Sequence, residues 1–200
     1  YMREELDLKV GVVHVTCFAP FPATQLVDAL KNVRALTVLE RMDNPLAQSN
    51  PLVQGIKASF ADALTGLSFG SNGEFKYPKI TSIPKIYACS AGLGSRDVRG
   101  GHFISIVKNM FADQPREYTV IGIKHALALS DGEDPDLRPQ GAFSMRGHSV
   151  GGFGSVTTNK LIASFVGELF NIYVQAYPKY GSEKKGLPTT YYLTVAEKHI

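Results

Sequence analysis

Three glycines and a run of hydroxyls stand together at Ser149–Lys160, "SVGGFGSVTTNK", between an apolar stretch and the first turn of an amphipathic helix. Glycine takes positive φ and lets a phosphate approach the backbone, and a helix N-terminus turns unpaired amides toward an anion. Ser155, Thr157 and Thr158 would add hydroxyls in that turn, and Lys160 a cation. The same residues would equally serve a tight turn that folds a helix back on its strand. The spacing excludes two familiar nucleotide motifs. Lys160 lies six residues past the last glycine, against the adjacent Gly-Lys of a Walker A loop. Ser149 stands where a Rossmann fingerprint would begin with glycine if Gly151 were its second.

A basic turn one strand later bears on the choice. "PKYGSEKKG" places Lys179, Lys184 and Lys185 in a short Gly-bounded loop at the end of a strand, where ligands of open parallel sheets sit. Loop lysines by themselves make a solvated face. Adjacent lysines beside a Gly-rich helix N-terminus make a convergent site for a polyphosphate, each contact a charge-assisted hydrogen bond. "GLGSRD", Gly92–Asp97, also follows a strand and precedes a helix. It either binds an anion through its amides or is a strand-to-helix turn with Ser95 or Asp97 as N-cap. His14, His102, His125, His148 and His199 are scattered without ligand-like pairing, and the sequence holds no G-x-S-x-G, H-E-x-x-H or C-x-x-C. The expectation is a chain without a catalytic centre or metal site of its own.

The elements that would position these residues alternate strand and helix. Lys9–Phe18, "KVGVVHVTCF", is β-branched and almost continuously apolar, as a strand buried on both faces should be. Helical spacing follows over Ala23–Asn32, a strand over Ala35–Glu40, and a helical stripe over Leu52–Leu64 that Ser49 or Asn50 can cap. A loop over Thr65–Pro84 leads to a strand at Lys85–Ala91, a helix near Val98–Phe111 and a strand at Tyr118–Ile123. Ala126–Gly141 carries four acids, two prolines and no helical stripe, which marks a domain boundary. Beyond it, Ala142–His148 leads into the Gly-rich turn, and Ile162, Phe165, Val166 and Leu169 form the apolar stripe of the next helix. Strands at Ile172–Tyr177 and Thr189–Val195 complete the pattern. The fold class is α/β, with two open, mostly parallel sheets.

Composition narrows the setting. With 44% hydrophobic and 20% charged residues, 200 residues suffice for one large or two smaller globular domains. A net charge of +3 without a basic stripe argues against nucleic acid. No apolar run approaches the roughly 18 residues of a membrane span. Cys17 and Cys89 each sit in an apolar strand-like run without a partner at metal-ligand spacing, and are expected to be buried thiols in a reducing compartment. The expectation is a cytoplasmic segment cut from something longer, its last strand-like residues left uncovered.

In order along the chain, "VTCFAPFPATQLVDAL", "LTVLERMDNPLAQSNPL", "GLGSRD", "GGFGSVTTNK", "VQAYPKYGSEKKG" and "TTYYLTV" resemble the pyruvate:ferredoxin oxidoreductase family, in particular its single-chain 2-oxoacid:acceptor enzymes. The resemblance implies that residues 1–139 are a transketolase C-terminal-like domain, the family's domain II. It implies that residues 140–200 begin a Rossmann-like gamma domain associated with coenzyme A. The implied reaction is oxidative decarboxylation of a 2-oxo acid such as pyruvate to an acyl-coenzyme A, with electrons passing through iron-sulfur clusters to ferredoxin or flavodoxin. Thiamine diphosphate, magnesium and the clusters would belong to other parts of the polypeptide, and the partners would be those other domains and a second copy in a homodimer. Matched position by position, the implied coenzyme A residues are Gly151, Gly152, Gly154, Ser155, Ser182, Lys184 and Lys185. Two positions depart from the family pattern: Ser149, where many relatives carry Gly, and Ala19, where Arg is common before the Pro-Phe pair. The competing expectation is a non-catalytic scaffold and interface in which the Gly-rich turn serves helix packing alone.

Overall fold

Short β-branched and apolar runs need neighbours on both edges and cover on both faces. In the computed structural model, which describes residues 1–69, 75–179 and 186–199, three such runs pair side by side, the middle one on both edges. β1 (Ala35–Glu40), β4 (Lys85–Ser90) and β5 (Tyr118–Val120) form a parallel sheet in the order β1-β4-β5, with Ala35 opposite Lys85 and Glu40 opposite Ser90. Helices α1 (Ala23–Leu30) and α2 (Pro51–Thr65) cover one face, burying Leu26, Val27, Val53, Ile56 and Phe60 against Val38 and Ala88. Burial of a side chain such as Phe60 stabilises by roughly 1.5–3 kcal/mol. The alternate positions Leu39 and Cys89 face the other way, into a second cluster with Ile106 of α3 (Gly100–Phe111), Ile121 and Leu129. β2 (Ser68–Phe69) and β3 (Phe75–Lys76) make a two-stranded antiparallel ladder inside the segment expected to be loop.

The chain divides into two compact units, Tyr1–Pro135 and Asp136–Ile200. The division falls inside the acid-rich segment Ala126–Gly141 read as a boundary, whose part as far as Pro135 is built into the first unit. Leu129 donates its amide to Val120, Ala128 bridges Val120, and Asp131 and Asp134 bind Arg99 at 3.1 and 2.8 Å. Acids and prolines over a short span look like a linker in one dimension. Here they wrap and cap a helix.

Lys9–Phe18 corrects the sequence expectation. It forms no strand, and Val12 is 84% exposed, Phe18 54%. Val15 alone of this run packs, partly buried, on the core beneath α1 and α2. Apolar β-branched composition records an environment rather than creating one, and none of the described residues pairs with this segment. Cys17 is consequently exposed, contrary to expectation, while Cys89 is buried as expected.

The second unit holds β6 (Phe143–Val150), α4 (Ser155–Phe170), β7 (Tyr173–Lys179) and β8 (Pro188–Ala196). It is α/β, but its sheet is antiparallel, in the order β6-β8-β7, where a mostly parallel sheet was expected. The connection from β7 to β8 is too short for a helical crossover, so β8 returns antiparallel and separates β6 from β7. β8 is thus the central strand and not an uncovered one: Tyr191, Leu193 and Val195 are buried against Val156, Ala163 and Val166 of α4. The helix packs through that narrow face, with Gly167 against Val174. Three of the four residues expected to be its buried stripe are exposed, Ile162, Phe165 and Leu169, and only Val166 faces the sheet. Small side chains allow closer approach to a sheet than large ones, so the larger apolar row is turned outward.

Candidate functional site at the turn before helix four

The Gly-rich segment connects β6 to α4. Gly152 has φ +101° and Gly154, the N-cap residue, φ +76°, and no heavy atom lies within 4 Å of where a Cβ would stand on either. Left-handed φ at two positions within three residues explains the glycines without reference to a ligand. The open space in front of them is what a ligand would need in addition. Gly151 differs from both: its amide donates to Leu187 O at 3.0 Å and its carbonyl accepts from Gly186 N–H at 3.5 Å, extending the ladder between β6 and β8. Its N–H is therefore occupied, and the amides a phosphate could use start at Gly152.

Ser155 opens the helix. Thr158 makes the first helical bond, to Gly154 O at 3.0 Å, so the preceding amides belong to the turn that an α-helix leaves unpaired. The Ser155 hydroxyl bonds the hydroxyl of Ser149, the position that departs from the family pattern. Ser149 Oγ also lies 3.4 Å from Val150 O. A hydroxyl has one proton; with Ser149 donating to that carbonyl, Ser155 is the donor to Ser149. Asn159 Nδ2 donates to Ser155 O at 2.8 Å, and its amide also packs against Gly147. Ser149 and Asn159 thus tie the first turn of α4 back onto β6.

Of the sequence-predicted site residues, the structure brings together Gly151, Gly152, Gly154 and Ser155. Ser182, Lys184 and Lys185 lie outside the described residues. Lys160 is in the second turn of the helix.

The other Gly-rich turn does connect a strand to a helix, β4 to α3, but without the caps expected of it. Leu93–Ser95 is a separate 3-10 turn, with Ser95 at φ +59°, and α3 starts only at Gly100. Neither Ser95 nor Asp97 is its N-cap. Asp134 Oδ1 accepts the Gly101 N–H at 2.7 Å, so the anion at this helix N-terminus is the protein's own carboxylate. His102, 2% exposed, accepts the Arg99 N–H at Nδ1 at 3.2 Å, and its Nε2 lies 3.3 Å from Arg99 Nη2 and 3.5 Å from Asp131 Oδ1. Sequence reasoning missed this network; the signal was the acids of "SDGEDPD", whose partner is about thirty residues upstream.

At the N-terminus of α2 the expected caps do something else. Asn50 occupies the N-cap position, but its side chain bonds Asn44 N–H, Met42 O and Ser90 Oγ. The Glu40 carboxylate, at the end of β1, accepts from Leu52 and Val53 N–H at 2.8 and 3.2 Å. Among the described residues, no three of His, Cys, Asp and Glu converge as metal ligands, and no helix is long and apolar enough to cross a membrane.

Comparison with known proteins identifies two family models along the chain. "Pyruvate:ferredoxin oxidoreductase core domain II" matches residues 1–78 and "Pyruvate ferredoxin/flavodoxin oxidoreductase" residues 144–200. The pyruvate-flavodoxin oxidoreductase of Enterobacter agglomerans is 29% identical over 198 residues, 96% of this chain and 15% of that protein. The pyruvate:ferredoxin oxidoreductase of Moorella thermoacetica is 26% identical over 196 residues, 96% of this chain and 15% of that protein. The mitochondrial pyruvate dehydrogenase [NADP(+)] of Euglena gracilis is 24% identical over 210 residues, 100% of this chain and 11% of that protein. The chain spans about 15% of the length of the first two relatives. Two models in one order and identity sustained over nearly the whole length make the chain a segment of a larger polypeptide belonging to the pyruvate:ferredoxin/flavodoxin oxidoreductase family.

Proposed function

We propose that the chain is part of a cytoplasmic enzyme that oxidatively decarboxylates a 2-oxo acid such as pyruvate to an acyl-coenzyme A and passes the electrons to ferredoxin or flavodoxin. The names of the relatives support the reaction class. In this proposal residues 1–139 are the transketolase C-terminal-like domain II, a scaffold that packs within a homodimer, and residues 140–200 begin the gamma domain and bind coenzyme A. Thiamine diphosphate, magnesium and iron-sulfur clusters act elsewhere in the polypeptide.

The observation that carries the coenzyme A assignment is the backbone pairing of Gly151 with Gly186 and Leu187. Lys184 and Lys185 immediately precede Gly186, the residue that pairs with Gly151, in sequence. Amides from Gly152 onward and two lysine ammonium groups are complementary to the phosphates of coenzyme A. Gly151 acts by holding the two segments together rather than by contacting the ligand. Ser155 and Ser182 are assigned hydroxyl contacts.

The test is Lys184→Ala with Lys185→Ala in the full-length enzyme. The half-saturating coenzyme A concentration should rise about tenfold or more, the loss of one or two charge-assisted contacts. Decarboxylation of the 2-oxo acid at thiamine should stay within about twofold of wild type, since the change removes binding of the second substrate only. An unchanged coenzyme A dependence refutes the assignment. A second reading is favoured by the positive φ of Gly152 and Gly154, which a packing turn needs in any case: the segment is scaffold and interface alone, and the double variant then keeps its coenzyme A affinity.

A further inference from the structure

Helix α4 differs from the longer helices of the first unit in having no fully buried residue, whereas α2 buries Val53, Ile56 and Phe60 and α3 buries Ile104, Ile106 and Val107. Its sheet side, with Val156, Ala163 and Val166, is only partly buried. At about 100° per residue, Thr157, Lys160, Ser164 and Glu168 share a second side, polar and exposed, as a surface helix requires. Leu161, Ile162, Phe165 and Leu169 share a third, which is apolar and open: Phe165 is 57% exposed and Leu169 76%. Thr158 is the polar residue on that side, and its hydroxyl donates back to Gly154 O at 3.3 Å. Phe153 ahead of the helix and Phe170 at its end are exposed as well.

A helix that is apolar on two sides belongs between two layers. Leu161, Phe165 and Leu169 follow one another at i, i+4 and i+8, which makes them a continuous ridge of the kind that packs into the groove of a second element. No residue of the row is charged, as in permanently covered interfaces and unlike the mixed surfaces of transient ones. The sheet of the second unit does not supply the cover, because Tyr191, Leu193 and Val195 already pack on the side with Val156, Ala163 and Val166. Size points the same way. A domain of about 60 residues buries only about 60% of the surface that its unfolded chain exposes, and Asp136–Ile200 is a unit of that size.

We propose that the row Leu161, Ile162, Phe165 and Leu169 is an internal interface, covered by a further helix or sheet of the same polypeptide that lies outside these 200 residues. The material for it exists: the chain spans about 15% of the length of relatives to which it is similar from end to end. A covalently joined segment is also present at an effective concentration in the millimolar range, an advantage over a second copy or a separate protein. With that cover α4 is a middle layer, between β6-β8-β7 and the added element. The inference rests on the exposed row and the family membership, and it is independent of the coenzyme A assignment.

The experiment is photo-crosslinking of the full-length enzyme carrying Phe165→p-benzoylphenylalanine or, separately, Leu169→p-benzoylphenylalanine, with products sized on a denaturing gel and mapped by peptide mass spectrometry. The expected product stays at the mass of one chain and joins position 165 or 169 to a peptide outside these 200 residues. A product of twice that mass means that a second copy covers the row, and it overturns the proposal. A crosslink to a peptide of residues 1–135 overturns it too, by assigning the cover to the first unit. So does the absence of any crosslink in the enzyme alone, including the case in which one forms only after ferredoxin or flavodoxin is added. Should neither variant accumulate, Phe165→Leu and Phe165→Asp carry the test through the temperature of half-inactivation. Phe165→Leu should stay within about 2 °C of wild type and Phe165→Asp fall by about 5 °C or more, equally at every protein concentration. A fall that varies with concentration, or no fall, overturns the proposal.

Discussion

Asp134 Oδ1 accepts the N–H of Gly101 at 2.7 Å across thirty-three residues of sequence, and its other oxygen binds Arg99 at 2.8 Å. One side chain therefore supplies both the N-terminal cap of α3 and the anchor for the segment that follows β5. Asp134→Ala should lower the stability of the first unit by about 1–2 kcal/mol, the loss of a cap that is also a charged acceptor. Asp134→Asn should recover part of this, because the amide oxygen still accepts. Urea unfolding followed by circular dichroism measures both.

Gly101 and Gly132 touch backbone to backbone. A Cβ on Gly101 would collide with the Gly132 carbonyl, and one on Gly132 with the Gly101 carbonyl. Neither neighbour is a flexible side chain that could swing aside. Gly101→Ala should cost about 1–3 kcal/mol or more by overpacking, whereas Gly100→Ala, whose added carbon meets Pro135 Cδ at 3.6 Å, should be close to neutral. Melting temperatures of the two variants side by side decide it.

The two thiols should separate cleanly in alkylation. Burial raises the Cys89 thiol above its ordinary range, and its residue is 1% exposed between β4 and α3. Cys17 is exposed, with Sγ 3.4 Å from Ala19 O. Iodoacetamide near neutral pH should modify Cys17 under native conditions and Cys89 only after denaturant is added. Mass spectrometry of the peptides reports both, and native labelling of Cys89 at the Cys17 rate contradicts the structure.

What could be read in the sequence was what local pattern determines. Ala35–Glu40 and Lys85–Ser90 carried their strand character in composition, and the stripe of Leu52, Ile56 and Phe60 its helix. The failures all depend on who the neighbour is. Lys9–Phe18 has the composition of a buried strand and lies exposed, because pairing is supplied by other strands. The row of Ile162, Phe165 and Leu169 looks like a core face, yet the sheet takes the small-residue face with Ala163 and Gly167. The antiparallel second sheet was hidden because strand direction follows from connection geometry, which composition does not encode. At the candidate site the glycines were visible as glycines. That Gly151 pairs with Leu187, and that Ser149 holds Ser155, could not be read from spacing.

Asp136 gives the second unit a pH signature. Arg138 donates from Nε to Oδ1 at 2.8 Å and from Nη2 to Oδ2 at 2.7 Å, and this fork holds the carboxyl at about 2, below its ordinary 3.8. A carboxyl depressed in the folded state adds stability that is present above its unfolded pKa and lost as pH falls from there through about 2. The pair is fully exposed, so the effect on stability is slight and the titration itself is the readout. Carboxyl 13C shifts should show Asp136 titrating below the other exposed aspartates, and Arg138→Gln should return it toward 3.8.

Ser149 is where the candidate site can be improved rather than broken. Its hydroxyl takes the Ser155 proton, which would otherwise be free to donate to a phosphate at the helix N-terminus. Ser149→Gly should therefore lower the half-saturating coenzyme A concentration of the full-length enzyme by about two- to tenfold, the worth of one neutral hydrogen bond. Gly152→Ala separates this from a general loosening of the turn. No atom opposes its new methyl group, so it should cost about 1–2 kcal/mol of stability through its φ of +101° alone. It should weaken coenzyme A binding, since the space it fills lies in front of the amides a phosphate would use. If Ser149→Gly leaves coenzyme A binding unchanged and Gly152→Ala lowers only stability, the turn is a packing device and the coenzyme A assignment fails. If the two variants move affinity in opposite directions, the turn contacts the ligand, and Ser149 is the residue that limits it.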